Sequence, residues 1–180
     1  MELKVVDAAI FKHSMRRLAS SVCVVTTGGA HPFGMTATSV CSLSTAPASI
    51  LVALNNGAKT AEAIIANRSF ALNVLSSDQS CLAKLFSSDA LRQSRTLYLT
   101  RRTVVGATGT PLIRGACVIM ECCVDDVIAY GSHSVLIGRV VSAASQDSAG
   151  PLLYHDGSYG SFSDVGSVVT SSVQAAPTVA

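Results

Sequence analysis

Residues 34–44 form the run of this chain best suited to holding a ligand close to the backbone. The run begins with Gly34, is dense in threonine, serine and alanine, and contains no charged residue. A half-buried strand usually alternates large apolar and polar side chains, which this run does not do. Small side chains and a glycine let a flat ligand approach backbone N–H groups. The hydroxyl groups would then face the polar edge of that ligand.

A second segment, residues 55–60, is suited to binding a phosphate group. Gly57 lies in a turn that leads into a predicted helix, whose first backbone N–H groups have no helical acceptor. Lys59 adds a positive charge there, although taken alone it is typical of an exposed surface lysine. The two segments together favour a phosphate-bearing aromatic cofactor over the usual alternative, a strand of small residues packed beneath a helix.

Several familiar catalytic motifs are absent from the sequence. Residues 104–109 contain only two glycines and run into Pro111, which argues against a dinucleotide-binding fingerprint. No Walker A or G-x-S-x-G motif occurs. Ser132 and His133 are neighbours, and neighbours on a strand face opposite sides, so a hydrolase would need Ser132 or Ser134 to meet a histidine through the fold. The adjacent carboxylates of residues 125–126 are disfavoured as an acid–base pair for the same reason.

The composition favours one globular domain with a partner. The chain has 180 residues, of which 49% are apolar and only 13% charged, so we expect part of the surface to be buried in a homodimer. A net charge of +2 and the absence of a basic segment exclude a nucleic-acid footprint. No apolar run approaches the ~20 residues of a membrane span. The first residues lack the order of a signal peptide, so we expect a cytoplasmic protein.

The six cysteines show no metal-binding pattern. None are spaced as C-x-x-C, and no histidine pair stands at metal-ligand spacing. We therefore expect no metal site, and we interpret the cysteines as reduced and mostly buried small hydrophobic residues.

Hydrophobic periodicity and turn signals predict short strands with a few helices between them. Residues 87–109 are hard to assign beyond one short strand. We expect a domain over residues 8–162 and a disordered tail over 163–180. The predicted helices span residues 8–19, residues 60–67 with Thr60 as the cap, and a third segment capped by Asp78. The predicted strands span residues 22–27, 33–38, 50–54, 70–75, 116–128, 134–142 and 152–154. This order lacks a strict βαβ rhythm, which favours an antiparallel barrel with appended helices.

The order of short motifs along residues 10–160 resembles the flavin reductase family, FMN-binding split-barrel proteins that supply reduced flavin to two-component monooxygenases. Each piece alone is weakly specific, but their order and spacing together are specific. The matching pieces are residues 11–15, 24–27, 34–44, 70–75, 85–86, 109–116, 121–122, 131–138 and 151–154.

The resemblance implies a mainly β fold with flanking helices, a split antiparallel β-barrel with Greek-key order. It also implies a homodimer with flavin, FMN or FAD, near the dimer interface. The flavin would be bound by Thr36, Ala37, Thr38, Ser39, Val40, Ser42, Leu43, Gly57, Ala58, Lys59, Thr60 and Phe86. The nicotinamide nucleotide, NADH or NADPH, would be bound near His133, His155, Asp156, Gly157 and Tyr159. His133 and His155 are explained almost equally well as an ordinary strand histidine and a turn residue.

The activity implied by the resemblance is NAD(P)H-dependent reduction of flavin for a partner monooxygenase, with no catalytic acid–base residue. Two alternatives stay open: a flavin-relay reductase of a corrinoid or similar acceptor, and a flavin-binding module without turnover. Residues 87–105 depart from the family pattern, which puts the choice of flavin in question. The choice between NADH and NADPH also stays open, with Arg92, Arg95, Arg101 and Arg102 as candidates for a 2′-phosphate.

Overall fold

A computed structural model describes residues 4–165 of the chain. Short helices flank strands that pair into sheets. The helices are α1 (Ala8–Met15), α2 (Lys59–Asn67), α3 (Ser80–Ser87) and α4 (Arg92–Arg101), with a 3-10 turn at Asp89–Leu91. The strands are β1 (Ser20–Ser21), β2 (Cys23–Thr27), β3 (Phe33–Ala37), β4 (Val40–Thr45), β5 (Ala48–Asn55), β6 (Ser69–Val74), β7 (Thr103–Val105), β8 (Pro111–Ile113), β9 (Val118–Tyr130), β10 (His133–Ser145), β11 (Leu152–His155) and β12 (Ser158–Ser161).

A seven-stranded antiparallel sheet in the order β3-β2-β6-β9-β10-β5-β4 forms the centre of the fold. Two small sheets, β1-β11-β12 and β7-β8, lie beside it. The prediction of a mainly antiparallel β fold with few helices is confirmed. Strands β3 and β4 are the two edges of the large sheet, so each has one side without a strand partner within it.

Both faces of β2 are buried, because apolar layers cover the sheet from two sides. Val25 belongs to a core cluster with Phe70 and with Ile64 of α2. Its neighbour Val24 belongs to a second cluster with Phe86 of α3 and Leu99 of α4. Alternation along the strand sends successive side chains to opposite faces. Strand β3, next to β2, therefore lies between α2 on one face and α3 with α4 on the other.

Asn73, which is fully buried in β6, joins the large sheet to β8. Its side-chain amide donates to the Val24 carbonyl at 3.0 Å and to the Thr26 hydroxyl at 3.2 Å. Its side-chain oxygen accepts from the Ile113 N–H at 2.8 Å. Every polar atom of this buried amide group thus has a partner, as burial requires.

Several predicted elements differ from the structure at their ends. Helix α1 ends at Met15 rather than at residue 19, and the strand predicted over residues 33–38 ends at Ala37. Thr60 does not cap α2, because Ala58 occupies the cap position and makes no side-chain hydrogen bond. Asp78 does not cap α3 either: the cap is Gln79, and the Asp78 carboxylate accepts from the Ser76 hydroxyl at 2.6 Å.

The sequence analysis missed helix α4 and the strands β1, β4, β8 and β12. Helix α4 contains polar residues at most positions and buries only Leu99, so it has no apolar stripe to reveal its period. Strand β12 follows β11 through a two-residue turn and alternates small and aromatic residues too briefly to be recognised. The strands predicted at residues 22–27 and 33–38 pair as the β2–β3 hairpin, and those predicted at residues 116–128 and 134–142 pair as β9–β10.

Two further predictions concern the end of the chain and the cysteines. Residues 166–180 of the predicted tail lie outside the described residues. Of the six cysteines, only Cys23 and Cys122 are buried, whereas Cys41 and Cys81 are exposed, so the expectation of mostly buried cysteines is wrong. Burial raises the pKa of the Cys23 and Cys122 thiols to about 12, so both are neutral at pH 7.

No helix within residues 4–165 is long and apolar enough to cross a membrane.

Candidate functional site

A cleft of about 870 Å³ runs along the open edge of β3. This volume lies within the usual range of small-molecule sites, roughly 300–1,000 Å³. Its walls come from the start of α2, from α3 and α4, and from the β11–β12 hairpin. The lining residues outside β3 include Asn55, Gly57, Ala58, Lys59, Thr60, Phe86, Arg92, Arg95, Leu99, Tyr154 and Tyr159.

The backbone of β3 presents hydrogen-bonding groups to this cleft. Arg95 Nη1 lies 3.4 Å from the Gly34 carbonyl oxygen, so this carbonyl points away from β2. Alternate residues of an antiparallel strand direct their N–H and C=O groups to the same side. The N–H and C=O of Thr36 therefore also face the open edge. The Thr36 hydroxyl does not, because it donates to the Ala83 carbonyl at 2.8 Å.

Gly34 lets α3 pack closely on β3. A Cβ atom at this position would lie 2.9 Å from the Phe86 ring and 3.3 Å from the Thr26 methyl group. Phe86 is 1% exposed and meets the Tyr98 ring edge to face, with centroids 5.8 Å apart. The glycine thus has a packing role, and the phenylalanine forms a rigid floor beside the strand.

The start of α2 forms a second wall with an anion-binding character. The Asn55 side-chain oxygen accepts from the Gly57 N–H at 2.8 Å, which holds the turn before the helix. Because the cap residue Ala58 supplies no side-chain acceptor, the first N–H groups of α2 are left for a ligand or solvent. Lys59 lines the cleft at the same end. A phosphate group fits this combination of N–H groups and positive charge.

Two arginines of α4 lie on the opposite wall. The Arg95 side chain is only 12% exposed, and its guanidinium bonds Asp89 at 3.2 Å and the Gly34 and Phe86 carbonyls at 3.4 Å. Arg92 lies over the Phe33 ring, with Cζ 5.9 Å from the centroid. Arg101 and Arg102 do not line the cleft.

The β11–β12 hairpin closes another side of the cleft with two tyrosines. The rings of Tyr154 and Tyr159 meet at 60° with centroids 5.6 Å apart. Burial and the neighbouring Tyr154 raise the pKa of Tyr159, so its hydroxyl stays protonated at neutral pH. Asp156 anchors the hairpin turn to the end of α1 through Arg17 at 3.2 Å and through its own N–H to the Arg16 carbonyl at 2.9 Å.

The cleft brings together nine of the residues predicted to bind a cofactor. Eight others lie outside its lining. The lining residues are Thr36, Ala37, Thr38, Gly57, Ala58, Lys59, Thr60, Phe86 and Tyr159. The other eight are Ser39, Val40, Ser42, Leu43, His133, His155, Asp156 and Gly157. Val40, Ser42 and Leu43 belong to β4 at the other edge of the large sheet. His133 pairs across the sheet with Asn55, and His155 precedes the hairpin turn.

Several lining residues were not predicted as site residues. Arg92 and Arg95 were named only as candidates for a 2′-phosphate, Asn55 was named only as part of the segment 55–60, and Leu99 and Tyr154 were given no cofactor role. The signal in the sequence was the charge density of residues 92–102, but only the position of α4 shows which arginines enter the cleft.

Ser132 and His133 do meet, contrary to the expectation that they face opposite sides. Ser132 lies in the turn between β9 and β10, where strand alternation does not apply, and its Oγ is 2.9 Å from His133 Nδ1. Both residues are exposed, and neither lines the cleft. Within residues 4–165 no carboxylate forms an ion pair with His133, and the site lacks the third member of a hydrolase triad.

Comparison with known proteins assigns this chain to a family over most of its length. The family profile described as "Flavin reductase like domain" matches residues 15–163. The FMN reductase (NADH) RutF of Escherichia coli strain K12 is 31% identical over 158 residues, covering 87% of this chain and 95% of that protein.

Two solved structures share the fold. BorF, the flavin reductase component of a bacterial two-component tryptophan halogenase, has a TM-score of 0.82 and 33% identity, covering 88% of this chain and 99% of its own. The NADH:FAD oxidoreductase SgcE6 of Streptomyces globisporus C-1027, in complex with NAD and FAD fragments, has a TM-score of 0.81 and 28% identity, covering 91% and 99%. The resemblance predicted from the sequence is confirmed, and this chain belongs to the flavin reductase like domain family.

Proposed function

We propose that this chain reduces FMN or FAD with a reduced nicotinamide nucleotide and delivers the reduced flavin to a partner monooxygenase. The chain is a flavin oxidoreductase by family. The observation that carries the proposal is the cleft on the edge of β3, which combines exposed backbone groups with an anion site at the start of α2. The names of RutF, BorF and SgcE6 support NADH as the donor and a two-component partner.

The residues at the cleft fit a flavin nucleotide. Gly57, Ala58, Lys59 and Thr60 would hold its phosphate with backbone N–H groups and one positive charge. The exposed N–H and C=O of Thr36 would contact the polar edge of the ring system. Phe86 would support the ring from α3. Ala37 and Thr38 would continue the wall. Ser39, Val40, Ser42 and Leu43 lie outside the cleft lining, so they would contact the flavin only where it extends beyond the cleft.

The nicotinamide nucleotide is proposed to dock on the hairpin side of the cleft. Tyr159 lines that side, and His155, Asp156 and Gly157 form the adjoining turn. His133 would approach from β10, beside Asn55.

Hydride transfer between the two nucleotides is chemistry that they supply themselves. The chain contributes position: the reacting rings must be held ~3–3.5 Å apart. Accordingly the cleft needs no acid–base pair. The parts of the cleft that would hold the rings in position are the edge of β3, the buried Phe86 ring and the β11–β12 hairpin anchored by Asp156.

We also propose the split-barrel closure and the homodimer that the resemblance implies. Helix α1 has no buried residue, and the exposed apolar side chains on and just after it are Ile10, Phe11, Met15 and Leu18. A second copy covering this surface would remove it from water, which is the usual explanation for such a patch.

The purified protein should oxidise NADH or NADPH when FMN or FAD is added. The loss of absorbance at 340 nm measures nicotinamide oxidation, and the loss at the visible flavin bands measures flavin reduction. Bleaching of the flavin under anaerobic conditions would show binding and reduction together. Flavin binding with negligible NAD(P)H oxidation would contradict the reductase proposal and favour a flavin-binding module. Oxidation of NAD(P)H that occurs only when a corrinoid acceptor is also present would favour the flavin-relay reductase.

A further inference from the structure

Arg92 is a cation of the cleft wall that the proposed flavin site does not use. It lines the cleft at the start of α4 and is exposed. Its guanidinium lies over the Phe33 ring at 5.9 Å, an arrangement that holds the side chain against the wall.

The charge of Arg92 is not neutralised within residues 4–165. The three ion pairs there are Arg17–Asp156, Arg95–Asp89 and Arg139–Asp125, and Arg92 takes part in none of them. Its neighbour Arg95 is largely buried and uses its hydrogen bonds on the protein itself. Among the described residues, Arg92 is therefore the cation of α4 that lines the cleft and takes part in no ion pair.

Arg92 and Lys59 lie at separate ends of the cleft. Asn67, at the end of α2, donates to Thr27 Oγ1 at 3.1 Å and to the Gly28 carbonyl at 2.9 Å. Thr27 pairs with Phe33, so the end of α2 lies near the Arg92 side of β3. Lys59 stands eight residues earlier, or ~12 Å away along the helix axis. The backbone positions of the two cations are therefore separated along β3, which favours a separate phosphate group for each.

We propose that Arg92 binds a phosphate group of the nicotinamide dinucleotide, and that it is a specificity residue for the reducing substrate. The inference rests on the proposed function, in which Lys59 and the start of α2 hold the flavin phosphate. A guanidinium is suited to the planar, paired hydrogen bonding of a phosphate. The group is either the pyrophosphate, common to NADH and NADPH, or the 2′-phosphate of NADPH.

Calorimetric titration of the flavin-free protein with ADP and with adenosine 2′,5′-bisphosphate separates these two sources. Arg92→Gln should weaken binding of at least one probe roughly tenfold, about the contribution of one hydrogen bond to a charged group. Weakening with the 2′,5′-bisphosphate alone assigns the 2′-phosphate. Weakening with ADP, which is also part of FAD, assigns the pyrophosphate of the nicotinamide dinucleotide when the KM for FAD is unchanged. The KM for the corresponding dinucleotide should rise by the same factor, with the KM for flavin unchanged.

Arg101→Gln is the matched control, because it removes the same charge from an exposed position of α4 outside the cleft. Arg92→Lys should recover part of the lost affinity, which keeps the test decisive if Arg92→Gln folds poorly. Unchanged affinity for both probes in Arg92→Gln, or an increase in the KM for flavin alone, would overturn the proposal. Since the titrations contain no flavin, they can be interpreted even if the protein fails to reduce flavin.

Discussion

Individual cations and backbone groups, rather than a catalytic triad, characterise this site. At Thr36, the residue type alone does not show which of its groups would contact the ligand. Its hydroxyl was expected to face the ligand, but it donates to the Ala83 carbonyl, and only its backbone groups reach the open edge. Substitutions of Thr36 that keep β3 extended should therefore weaken flavin binding less than substitutions that block the N–H and C=O groups at the open edge of β3.

Lys59→Gln should weaken FMN binding roughly tenfold, because one charge-assisted contact with the phosphate is lost. Binding of riboflavin, which has no phosphate, should not change. Quenching of flavin fluorescence measures both affinities. Lys84→Gln, at an exposed position of α3, is the charge-matched control. Equal weakening of FMN and riboflavin would contradict a phosphate contact at Lys59.

At the scale of elements, a close contact across β9 and a buried carboxylate help to position the strands of the large sheet. Gly138 of β10 lies beside the ring of Phe70 of β6, where a Cβ would be 2.5 Å from the ring. Glu121 of β9 is 4% exposed and accepts from the Thr108 N–H at 2.8 Å and from its hydroxyl at 2.7 Å. These contacts position the strands that carry the cleft, although neither residue lines it.

Gly138→Ala should lower the free energy of unfolding by about 1–3 kcal/mol, the usual range for overpacking a core. Urea unfolding measures the change. Gly160→Ala is the control within a strand, since a Cβ there meets nothing within 4 Å. A loss of stability in Gly160→Ala as large as that in Gly138→Ala would show that the effect is not caused by the Phe70 ring.

Glu121 should make stability depend on pH. Burial alone would raise its pKa, but hydrogen bonds from Thr108, Ala107 and Thr110 hold it below the ordinary value of 4.5. A lowered pKa in the folded state stabilises the protein above the unfolded value, and this stabilisation is lost as pH falls through the folded value. Glu121→Gln should therefore be about 1–3 kcal/mol less stable at pH 7.

Urea unfolding of both proteins between pH 7 and pH 3.5 tests this dependence. The difference between wild type and Glu121→Gln should be constant above about pH 5 and should shrink below the ordinary glutamate pKa. A difference that stays constant to the lowest pH would contradict a stabilising carboxylate at this position.

At the scale of the whole molecule, the exposed apolar face around α1 is the feature that a single copy leaves unexplained. Phe11 is 53% exposed and Leu18 is 59% exposed, in a chain with few charged residues. α1 is tied to the β11–β12 hairpin through Asp156, so a partner on this face would also stabilise that wall of the cleft.

Sedimentation should give a mass of twice 18.5 kDa for the wild-type chain at micromolar concentration. Phe11→Asp should shift this equilibrium toward the monomer, because it places a charge in the proposed apolar interface. Lys12→Asp alters the charge on the same helix without removing an apolar side chain, and serves as the control. A wild-type monomer at all concentrations would contradict the proposed homodimer.

The sequence by itself determined the family and the antiparallel β character, and it predicted residues 34–44 and 55–60 as the segments proposed to bind flavin. Those properties follow from local patterns: strand alternation, a glycine turn before a helix, and motifs in a specific order. Only the tertiary structure decided that Thr36 contributes backbone rather than hydroxyl, and that Arg92 and Arg95 enter the cleft whereas Arg101 does not. These outcomes depend on contacts between residues far apart in the chain, such as Thr36 with Ala83 and Arg95 with Gly34, which no local pattern encodes.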